Sequence, residues 1–534
     1  MLISNSSRVL LAKNMQLLDR VTIEKYGISG KILMENAGRC CVESIRDNYS
    51  ISEKNILILC GPGNNGGDGF VIARYLAEDS AALDLFFIGG KTTEDASYHY
   101  EIARSSGLGE HIHVVDKDGS LLTDNLKKRI DKADLIVDAL FGTGLRSAPR
   151  GIFKNIIELV NANKKADVFS VDIPSGLYAD TGNSDGVVVK ADMTVTFGFL
   201  KPAHCLEPGR TLSGSVVLAD IGIPQLASSE IDDRIKLLLP EDMLNLLPQR
   251  KNDVHKGDSG HILIIGGSME KPGAAVMTAK AAHRAGAGLV TLAAPDEMDF
   301  SALYPETMRK MVFSESGEFS FESIDSVLQF AEGKSAIAVG IGMGTGQGVS
   351  MLVEALIREI DKPLLLDADA LNIVAEKPEI LKDAKAEIIM TPHPGEMSRL
   401  CRKSVVEILE NKLDTAESYS CENDVVLVLK GASTIIAEPG RESAFVPCNR
   451  LWINTTGNPG LACGGSGDVL SGIIGAFLAN GLLASEAARL GVFMHGLAAD
   501  YLYEKRGGYG YLPTEIAEIL PETSKILKDG NLYK

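Results

Sequence analysis

Two glycine-rich segments place an aspartate where a phosphate-bearing ligand could bind. In GGSGD (464–468) the glycines lead into an apolar helical pattern, and in GPGNNGGDGF (61–70) they lie between a strand pattern and a helical pattern. Unpaired backbone N–H groups and the helix dipole favour an anion at the start of a helix. An aspartate there is repelled by phosphate unless it has a chemical task, such as taking a proton from an attacking hydroxyl. Asp468 is therefore a candidate base; the alternative is that Gly467 and Asp468 only cap the helix.

The first segment also satisfies the spacing G-x-G-x-x-G through Gly61, Gly63 and Gly66. A dinucleotide site of the usual dehydrogenase type needs an acidic residue after the next strand, to bind a ribose hydroxyl. The next strand pattern, LDLFFIG (83–89), leads instead into Gly-Gly-Lys. A conventional dehydrogenase is therefore disfavoured.

Polar residues follow three predicted strands of the first half. The groups are Asn64, Asn65 and Asp68 in the first glycine-rich segment, Asp138 before FGTGL, and Asp172 before IPSG. The carboxyl ends of parallel strands form one crevice, so these groups should converge there. Asparagine, aspartate and serine oxygens suit a hard cation. The alternative for each residue alone is a helix cap or a turn.

Short apolar runs alternate with helical patterns along the whole sequence. The strand patterns cover 56–60, 83–89, 135–142, 168–176, 261–268, 336–342, 363–371, 387–395 and 425–431. Apolar runs spaced by crossover helices predict parallel sheets, so the fold class is α/β. The polar stretch between Gly222 and His261 suits a connection, and we predict domains at 1–230 and 235–534.

Composition narrows the class of protein further. The 534 residues include 53 Lys plus Arg and 71 Asp plus Glu, a formal charge of −18, which disfavours nucleic acid as a partner. The eight cysteines form no C-x-x-C pair, the N-terminus lacks the pattern of a secretory signal, and the uncharged run 469–485 contains Gly, Ser and Asn. We expect a cytoplasmic protein with no membrane span, in which that run is a buried helix.

Five segments of the first half resemble the NAD(P)H-hydrate epimerase family: MENAG (34–38), GPGNNGGDGFVIAR (61–74), DALFGTGL (138–145), VDIPSGLYADTG (171–182) and ADMTVTFGFLKP (191–202). The resemblance implies a Rossmann-like three-layer α/β/α domain. It implies that the hydrated dinucleotide contacts Asn64, Asn65, Gly66, Gly67, Asp68, Gly142, Thr143, Gly144, Leu145, Arg146, Ser147 and Ala148. It also implies that Asn65, Asp138 and Ser175 bind K⁺ and that Asp172 lies at the nicotinamide ring, where it could move a proton; Lys201 is a second candidate.

The second half resembles the ribokinase-like fold and, more closely, the ADP- or ATP-dependent NAD(P)H-hydrate dehydratases. The matching segments are HKGDSGHILIIGGS (255–268), PGAAVMTAKAAHRAGAGLV (272–290), LDADALN (366–372), TPHPGEMSRL (391–400), LKGASTII (429–436) and GGSGD. The resemblance implies that the hydrated substrate contacts Ala275, Gly344, His393 and Asp468. It implies that the adenine nucleotide contacts Lys430, Gly431, Ala432, Ser433, Thr434 and Gly467.

Together the two resemblances imply an enzyme that repairs hydrated NADH and NADPH (NADHX and NADPHX). The first half would interconvert the R and S hydrates at C6, and the second would phosphorylate and dehydrate the S hydrate. The fused arrangement resembles bacterial members that use ADP; Mg²⁺ is expected at the phosphates, and a homo-oligomer is implied. Two alternatives remain: a vitamin or sugar kinase fused to a nucleotide-binding domain, and a non-catalytic dinucleotide sensor.

Overall fold

The chain forms two compact units, Met1–Asp233 and Arg234–Lys534. This computed structural model describes residues 7–89, 91–115, 124–232, 234–249, 255, 259–440 and 450–530. Part of the segment quoted above as 255–268 lies outside the described residues.

Unit 1 alternates strands with helices. Its strands are β1 (Asn55–Cys60), β2 (Ala82–Ile88), β3 (Ile112–Val115), β4 (Leu135–Ala139), β5 (Asp167–Val171), β6 (Met193–Phe197) and β7 (Ser215–Ala219). Its helices are α1 (Ala12–Glu24), α2 (Gly30–Asn48), α3 (Asn64–Leu76), α4 (Glu94–Ala103), α5 (Asp124–Lys132), α6 (Ile152–Ala162), α7 (Gly209–Leu212) and α8 (Gln225–Ser228).

The sheet of unit 1 is parallel and has the order β3-β2-β1-β4-β5-β6-β7. The strand order reverses between β1 and β4, and ligands of open α/β sheets bind at the carboxyl ends of strands beside such a reversal. Asn65 follows β1 and Asp138 lies in β4, so the strand order places both residues beside this reversal.

Each face of this sheet carries its own apolar core, as alternating residues of β1 show. Ile56 and Ile58 pack in a cluster with residues of α2 and α3, whereas Leu57 and Leu59 pack in a cluster with residues of α5 and α6. Successive side chains of a strand point to opposite faces, so helices cover both sides. The structure confirms the three-layer α/β/α expectation for this half.

Unit 2 contains twelve strands and twelve helices within the described residues. The strands are β8 (Ile235–Leu237), β9 (His261–Gly266), β10 (Leu289–Pro295), β11 (Met308–Val312), β12 (Ser314–Glu315), β13 (Glu318–Phe319), β14 (Ala336–Ile341), β15 (Leu364–Leu366), β16 (Ile388–Met390), β17 (Val426–Leu429), β18 (Ile435–Glu438) and β19 (Arg450–Ile453). The helices are α9 (Pro240–Leu246), α10 (Pro272–Arg284), α11 (Ile324–Ala331), α12 (Gln347–Glu359), α13 (Asp369–Glu376), α14 (Pro394–Cys401), α15 (Val405–Glu410), α16 (Lys412–Asn423), α17 (Ser466–Ala479), α18 (Ala484–Arg506), α19 (Pro513–Glu518) and α20 (Leu520–Asp529).

The main sheet of unit 2 has the order β11-β10-β9-β14-β15-β16-β17-β18-β19-β8. From β11 to β17 in this sheet order, each strand pairs in parallel with its neighbour. Strand β18 is antiparallel to both β17 and β19. The parallel pairing predicted from the strand patterns is confirmed as far as β17, and the antiparallel strand β18 lies outside those patterns. The connection from β17 to β18 is a short loop, and parallel neighbours need a crossover that is much longer.

The uncharged run 469–485 is a buried helix only in its first part. Helix α17 ends at Ala479, and Gly481 then adopts a φ of +91°, which a helix does not accommodate. A second helix, α18, begins at Ala484. Among the described residues, no helix is long and apolar enough to cross a membrane.

Candidate active sites

The glycine-rich segment after β1 is mostly helix. Asn64 to Asp68 form the first turn of α3 instead of the predicted loop, with Gly63 as the preceding cap residue. The turn packs so tightly that a Cβ on Gly66 would lie 1.9 Å from the carbonyl oxygen of Gly61. Glycine is required there because any larger residue would collide with backbone.

Asp172 lies directly after β5 and is paired with a buried lysine. Its φ of +64° is left-handed, a conformation that aspartate tolerates better than most residues. Lys201 Nζ donates to Asp172 Oδ1 at 2.8 Å and to Thr196 Oγ1 at 2.8 Å, and Thr196 donates to the same carboxylate at 3.0 Å. Burial acts to raise the pKa of Asp172, but the charge and hydrogen bond of Lys201 hold that pKa below its usual value. The carboxylate is therefore held ionised.

His204 joins the backbones of this pair. Its Nδ1 accepts the N–H of Lys201 at 3.1 Å, so Nε2 carries the proton and donates to the carbonyl oxygen of Asp172 at 2.9 Å. Burial, together with the charge of Lys201, lowers the pKa of His204 to about 4. The ring is therefore neutral near pH 7 and acts as a fixed brace.

A cavity of about 590 Å³ opens beside Asp172. Its lining contains the predicted residues Asn64, Asn65, Asp68, Gly142, Thr143, Gly144, Leu145, Arg146 and Asp172, together with Lys201. Gly66, Gly67, Ser147 and Ala148 are not part of that lining. A Cβ built on Gly142 would lie 3.1 Å from Asp172 Oδ2 and 3.2 Å from Asn65 Oδ1, so the segments after β1, β4 and β5 converge.

Asp138 and Ser175 lie in direct contact, and neither lines the cavity. The Asp138 carboxylate accepts from Ser175 Oγ at 2.6 Å, Ser175 N at 2.8 Å and Ser170 Oγ at 2.9 Å. Burial raises the pKa of Asp138, and none of the described cationic side chains forms an ion pair with it. Asn65 Nδ2 is buried without a hydrogen-bond partner in the described structure. The Asp138 carboxylate and the Ser175 hydroxyl supply buried oxygens of the kind that bind a hard cation, and Asn65 could add only its Oδ1, because Nδ2 is a hydrogen-bond donor.

In unit 2, Asp468 occupies the first turn of α17, as the sequence predicts. Its backbone carbonyl accepts from Thr278 Oγ1 of α10 at 3.0 Å, whereas its carboxylate has no hydrogen bond or ion pair within the described part of the chain. Burial, with the nearby charge of Asp367, raises the pKa of Asp468 to about 6. The carboxylate is thus ionised at pH 7 yet basic enough to take a proton.

Lys430 is held at the start of the same helix by a buried aspartate. Its Nζ donates to Asp367 Oδ1 at 2.8 Å, and Ser471 Oγ donates to Asp367 Oδ2 at 2.7 Å. A Cβ on Gly467 would lie 3.3 Å from Lys430 Nζ. The structure therefore brings two predicted nucleotide contacts, Lys430 and Gly467, to one place. The other four, Gly431 to Thr434, form the loop between β17 and β18.

His393 caps α14 and is neutral in a defined tautomer. Its Nδ1 accepts from Gly395 N at 3.0 Å and Glu396 N at 3.3 Å, so the proton lies on Nε2, 3.4 Å from Glu396 Oε1. Burial and the charge of Lys430 lower the pKa of His393. Glu396 Oε2 lies 4.0 Å from Lys430 Nζ, which links His393 to the Lys430 site.

The remaining predicted substrate contacts lie around α10 and α13. Gly344 has a φ of +81°, and its N–H donates to Asp369 Oδ2 at 2.9 Å. Asp369 is among the charges that raise the pKa of Asp468, after burial and Asp367. Ala275 is fully buried in α10, one turn before Thr278, which contacts the backbone of Asp468.

Several residues of both sites were not singled out from the sequence. Asp367 belongs to the quoted LDADALN motif, and its place at a strand end was an available signal. Asp19 of α1 lines the unit 1 cavity, and no pattern distinguishes it from a surface aspartate.

The fold and the two sites together define an α/β enzyme, in which each unit holds a buried aspartate hydrogen-bonded to a lysine, with further carboxylates nearby. Residues 30–203 match the family described as "YjeF-related protein N-terminus", and residues 262–522 match the family described as "NAD(P)H-hydrate dehydratase".

Relatives are similar over nearly the whole chain. The "Bifunctional NAD(P)H-hydrate repair enzyme Nnr" of Thermofilum pendens is 36% identical, covering 98% of this chain and 97% of the relative. The protein of the same name from Moorella thermoacetica is 37% identical, with the same coverage of 98% and 97%. A solved "ADP/ATP-dependent NAD(P)H-hydrate dehydratase from Bacillus subtilis co-crystallized with ATP/Mg2+" is 28% identical and covers 55% of this chain and 98% of its own, with a TM-score of 0.46.

The chain belongs to the family of bifunctional NAD(P)H-hydrate repair enzymes. The resemblance inferred from the motifs is confirmed, and so is an enzyme that joins an epimerase, which is an isomerase, to a nucleotide-dependent dehydratase, which is a lyase. Neither the fused kinase nor the non-catalytic sensor gains support.

Proposed function

We propose that residues 1–230 interconvert the R and S hydrates of NADH and NADPH, and that residues 235–534 dehydrate the S hydrate with ADP, giving AMP and phosphate. The convergence of Asn65, Gly142 and Asp172 on one cavity carries the first assignment. The carboxylate of Asp468 at the start of α17, beside Lys430, carries the second.

At the epimerase site, Asp172 faces the hydrated C6 carbon as an ionised carboxylate. Loss of hydroxyl from C6 leaves positive charge that the adjacent ring nitrogen shares, and a fixed negative charge stabilises that state. The ion pair with Lys201 keeps Asp172 unprotonated, so its geometry favours this role over the transfer of a proton.

At the dehydratase site, Asp468 takes the proton of the C6 hydroxyl while the hydroxyl oxygen attacks the terminal phosphorus of ADP. The bond from that phosphorus to the bridging oxygen breaks, and AMP leaves. Lys430 and the N–H groups at the start of α17 stabilise the phosphate charge. Phosphate then departs from C6, and loss of a proton from the neighbouring ring carbon restores the dihydronicotinamide.

Two cations belong to this proposal. Asp138, Ser175 and Asn65 would hold K⁺, since Asp138 is a buried carboxylate without a cationic partner in the described structure. Within the described residues, no group of three or more His, Cys, Asp or Glu side chains is arranged to hold a metal ion. Mg²⁺ therefore fits as an ion bound mainly by phosphates, with Glu396 as the buried carboxylate beside Lys430. Bound there, it would neutralise phosphate charge.

The choice of ADP rests on resemblance to bacterial members with the same fused arrangement, and the homo-oligomer rests on the resemblance to the family. The cytoplasmic location rests on the eight cysteines, whose spacing fits reduced thiols. The acidic composition supports a small-molecule enzyme that does not bind nucleic acid.

The test is to incubate the purified chain with mixed hydrate epimers and either ADP or ATP, and to follow the return of the reduced-nicotinamide absorbance. We expect full recovery, faster with ADP. Recovery of only half of the signal would contradict the epimerase assignment, and recovery independent of nucleotide would contradict the dehydratase assignment.

A further inference from the structure

Two carboxylates of the unit 1 cavity have no partner among the described residues. Asp19 and Asp68 line the same cavity as Asp172, but neither side chain forms a hydrogen bond or an ion pair with any described residue. Asp68 is only 8% exposed. Buried polar groups nearly always have partners, so unpaired carboxylates at a cavity point to a ligand that supplies them.

A second unsatisfied group lies in the same lining. Asn65 is 8% exposed, and its Nδ2 has no hydrogen-bond partner in the described structure. Asp172, in contrast, accepts hydrogen bonds from both Lys201 and Thr196. The lining therefore holds one carboxylate with its charge already balanced and others that are available.

The two available carboxylates differ in their surroundings. Asp68 is deeply buried in α3, and burial, with the charges of Asp172 and Asp19, raises its pKa well above the usual value. Asp19 is half-buried on α1; burial raises its pKa to about 6, with Lys201 lowering it and Asp172 raising it. The other charged groups in the lining are Asp95 of α4 and Arg146 after β4. Asp19 can thus gain and lose a proton near neutral pH, and it is the less buried of the two unpaired carboxylates, so substrate and water reach it more readily.

We propose that Asp19 is a catalytic residue of the epimerase site that donates a proton to the departing C6 hydroxyl and takes one back when water adds again. The inference rests on the function proposed for unit 1. It assigns the acid and the fixed charge to different side chains, Asp19 and Asp172. Neighbouring titratable groups in unlike environments are commonly divided in this way.

The proposed step is balanced. The proton of the Asp19 carboxyl group moves to the C6 hydroxyl oxygen, and the C6–O bond breaks with its electron pair on that oxygen, so that water leaves. The ring nitrogen shares the resulting positive charge, which faces the Asp172 carboxylate. Water then adds to either face of C6, and its surplus proton returns to Asp19.

The experiment follows conversion of the purified R hydrate to the S hydrate by chromatography, with the full chain and no nucleotide, so that dehydration does not occur. We compare Asp19→Asn with Glu24→Gln, which removes an exposed carboxylate from the same helix. General acid catalysis contributes about 10²–10⁴-fold, so kcat of Asp19→Asn should fall at least about 100-fold with little change in KM, while Glu24→Gln retains wild-type rates.

The pH profile separates a catalytic role from a structural one. The reaction starts from protonated Asp19, so the wild-type rate should fall as pH rises through about 6. Asp19→Asn should lose this pH dependence. Asp19→Glu should recover part of the rate and regain the pH dependence.

Wild-type kcat with an unchanged pH profile in Asp19→Asn would overturn the assignment of Asp19. If Asp19→Asn does not fold, as judged by circular dichroism, Asp19→Ser replaces it, and wild-type kcat with an unchanged pH profile in that variant would overturn the assignment equally. Absence of R-to-S conversion by the wild-type chain above the uncatalysed rate would instead overturn the proposed function of unit 1.

Discussion

Both units contain a lysine hydrogen-bonded at 2.8 Å to a buried aspartate, but the two pairs differ in their relation to the proposed chemistry. In unit 1 the paired aspartate, Asp172, itself lines the cavity, and Asp19 and Asp68 lack partners. In unit 2 the paired aspartate, Asp367, is 1% exposed, and the unpaired Asp468 occupies the helix start.

The comparison shows that pairing, more than position in a motif, decides what a carboxylate can do. An aspartate bonded to lysine keeps its charge and cannot readily carry a proton, whereas an unpaired, partly buried one has a pKa closer to neutrality. The pKa is about 6 for both Asp468 and Asp19. Asp468 must be ionised to act as a base, whereas Asp19 must be protonated to act as an acid. As pH rises through about 6, the rate of dehydration should therefore rise and the rate of epimerisation should fall.

The largest effect is expected from breaking the pair in unit 2. In Asp367→Asn, Lys430 loses its carboxylate, and removing one partner of a buried pair costs about 3–5 kcal/mol of unfolding free energy. Asp367 also raises the pKa of Asp468, so its loss should shift the acid limb of dehydration, which falls below about pH 6 in the wild type, to lower pH. Denaturant unfolding and a pH–rate profile measure the two effects.

The control is Asp383→Asn, which removes the partner of Arg358 at the surface, where both side chains are about half exposed. Such a change should cost at most about 1 kcal/mol and leave the pH profile unchanged. Equal stability and equal profiles for the two variants would refute a special role of the Asp367–Lys430 pair.

A smaller effect is expected from the cation site of unit 1. Replacing tetramethylammonium by K⁺ at constant ionic strength should raise the melting temperature of the wild type, because an ion bound only by the folded state stabilises it. A gain of 1 kcal/mol corresponds to about 2–4 °C for a unit of this size. Asp138→Asn should lose this response, whereas the exposed control Asp47→Asn should keep it. Identical melting of the wild type in both salts would exclude K⁺ at Asp138.

The sequence predicted the α/β class well, because strands buried on both faces are short, continuous apolar runs. All nine predicted strand patterns overlap strands of the structure. It did not predict the antiparallel β18, since a short connection does not reveal strand direction.

Asp172 and Asp468 were identified because they follow glycine-rich or strand-end motifs. Asp19 was not, because its place at the cavity depends on how α1 packs within unit 1. Likewise, the pairing of Lys430 with Asp367 joins residues 63 positions apart.

The central claim is that each unit performs one step with its own carboxylates, and that the S hydrate passes between them through solution. The most direct test mixes two chains that each lack one activity, Asp172→Asn without epimerase and Asp468→Ala without dehydratase activity, with both hydrate epimers and ADP. Alone, Asp172→Asn should return half of the absorbance on the time scale of enzymatic turnover, and Asp468→Ala none. Together they should return all of it. Recovery that stays at half in the mixture, or any rapid recovery by Asp468→Ala alone, would contradict the account.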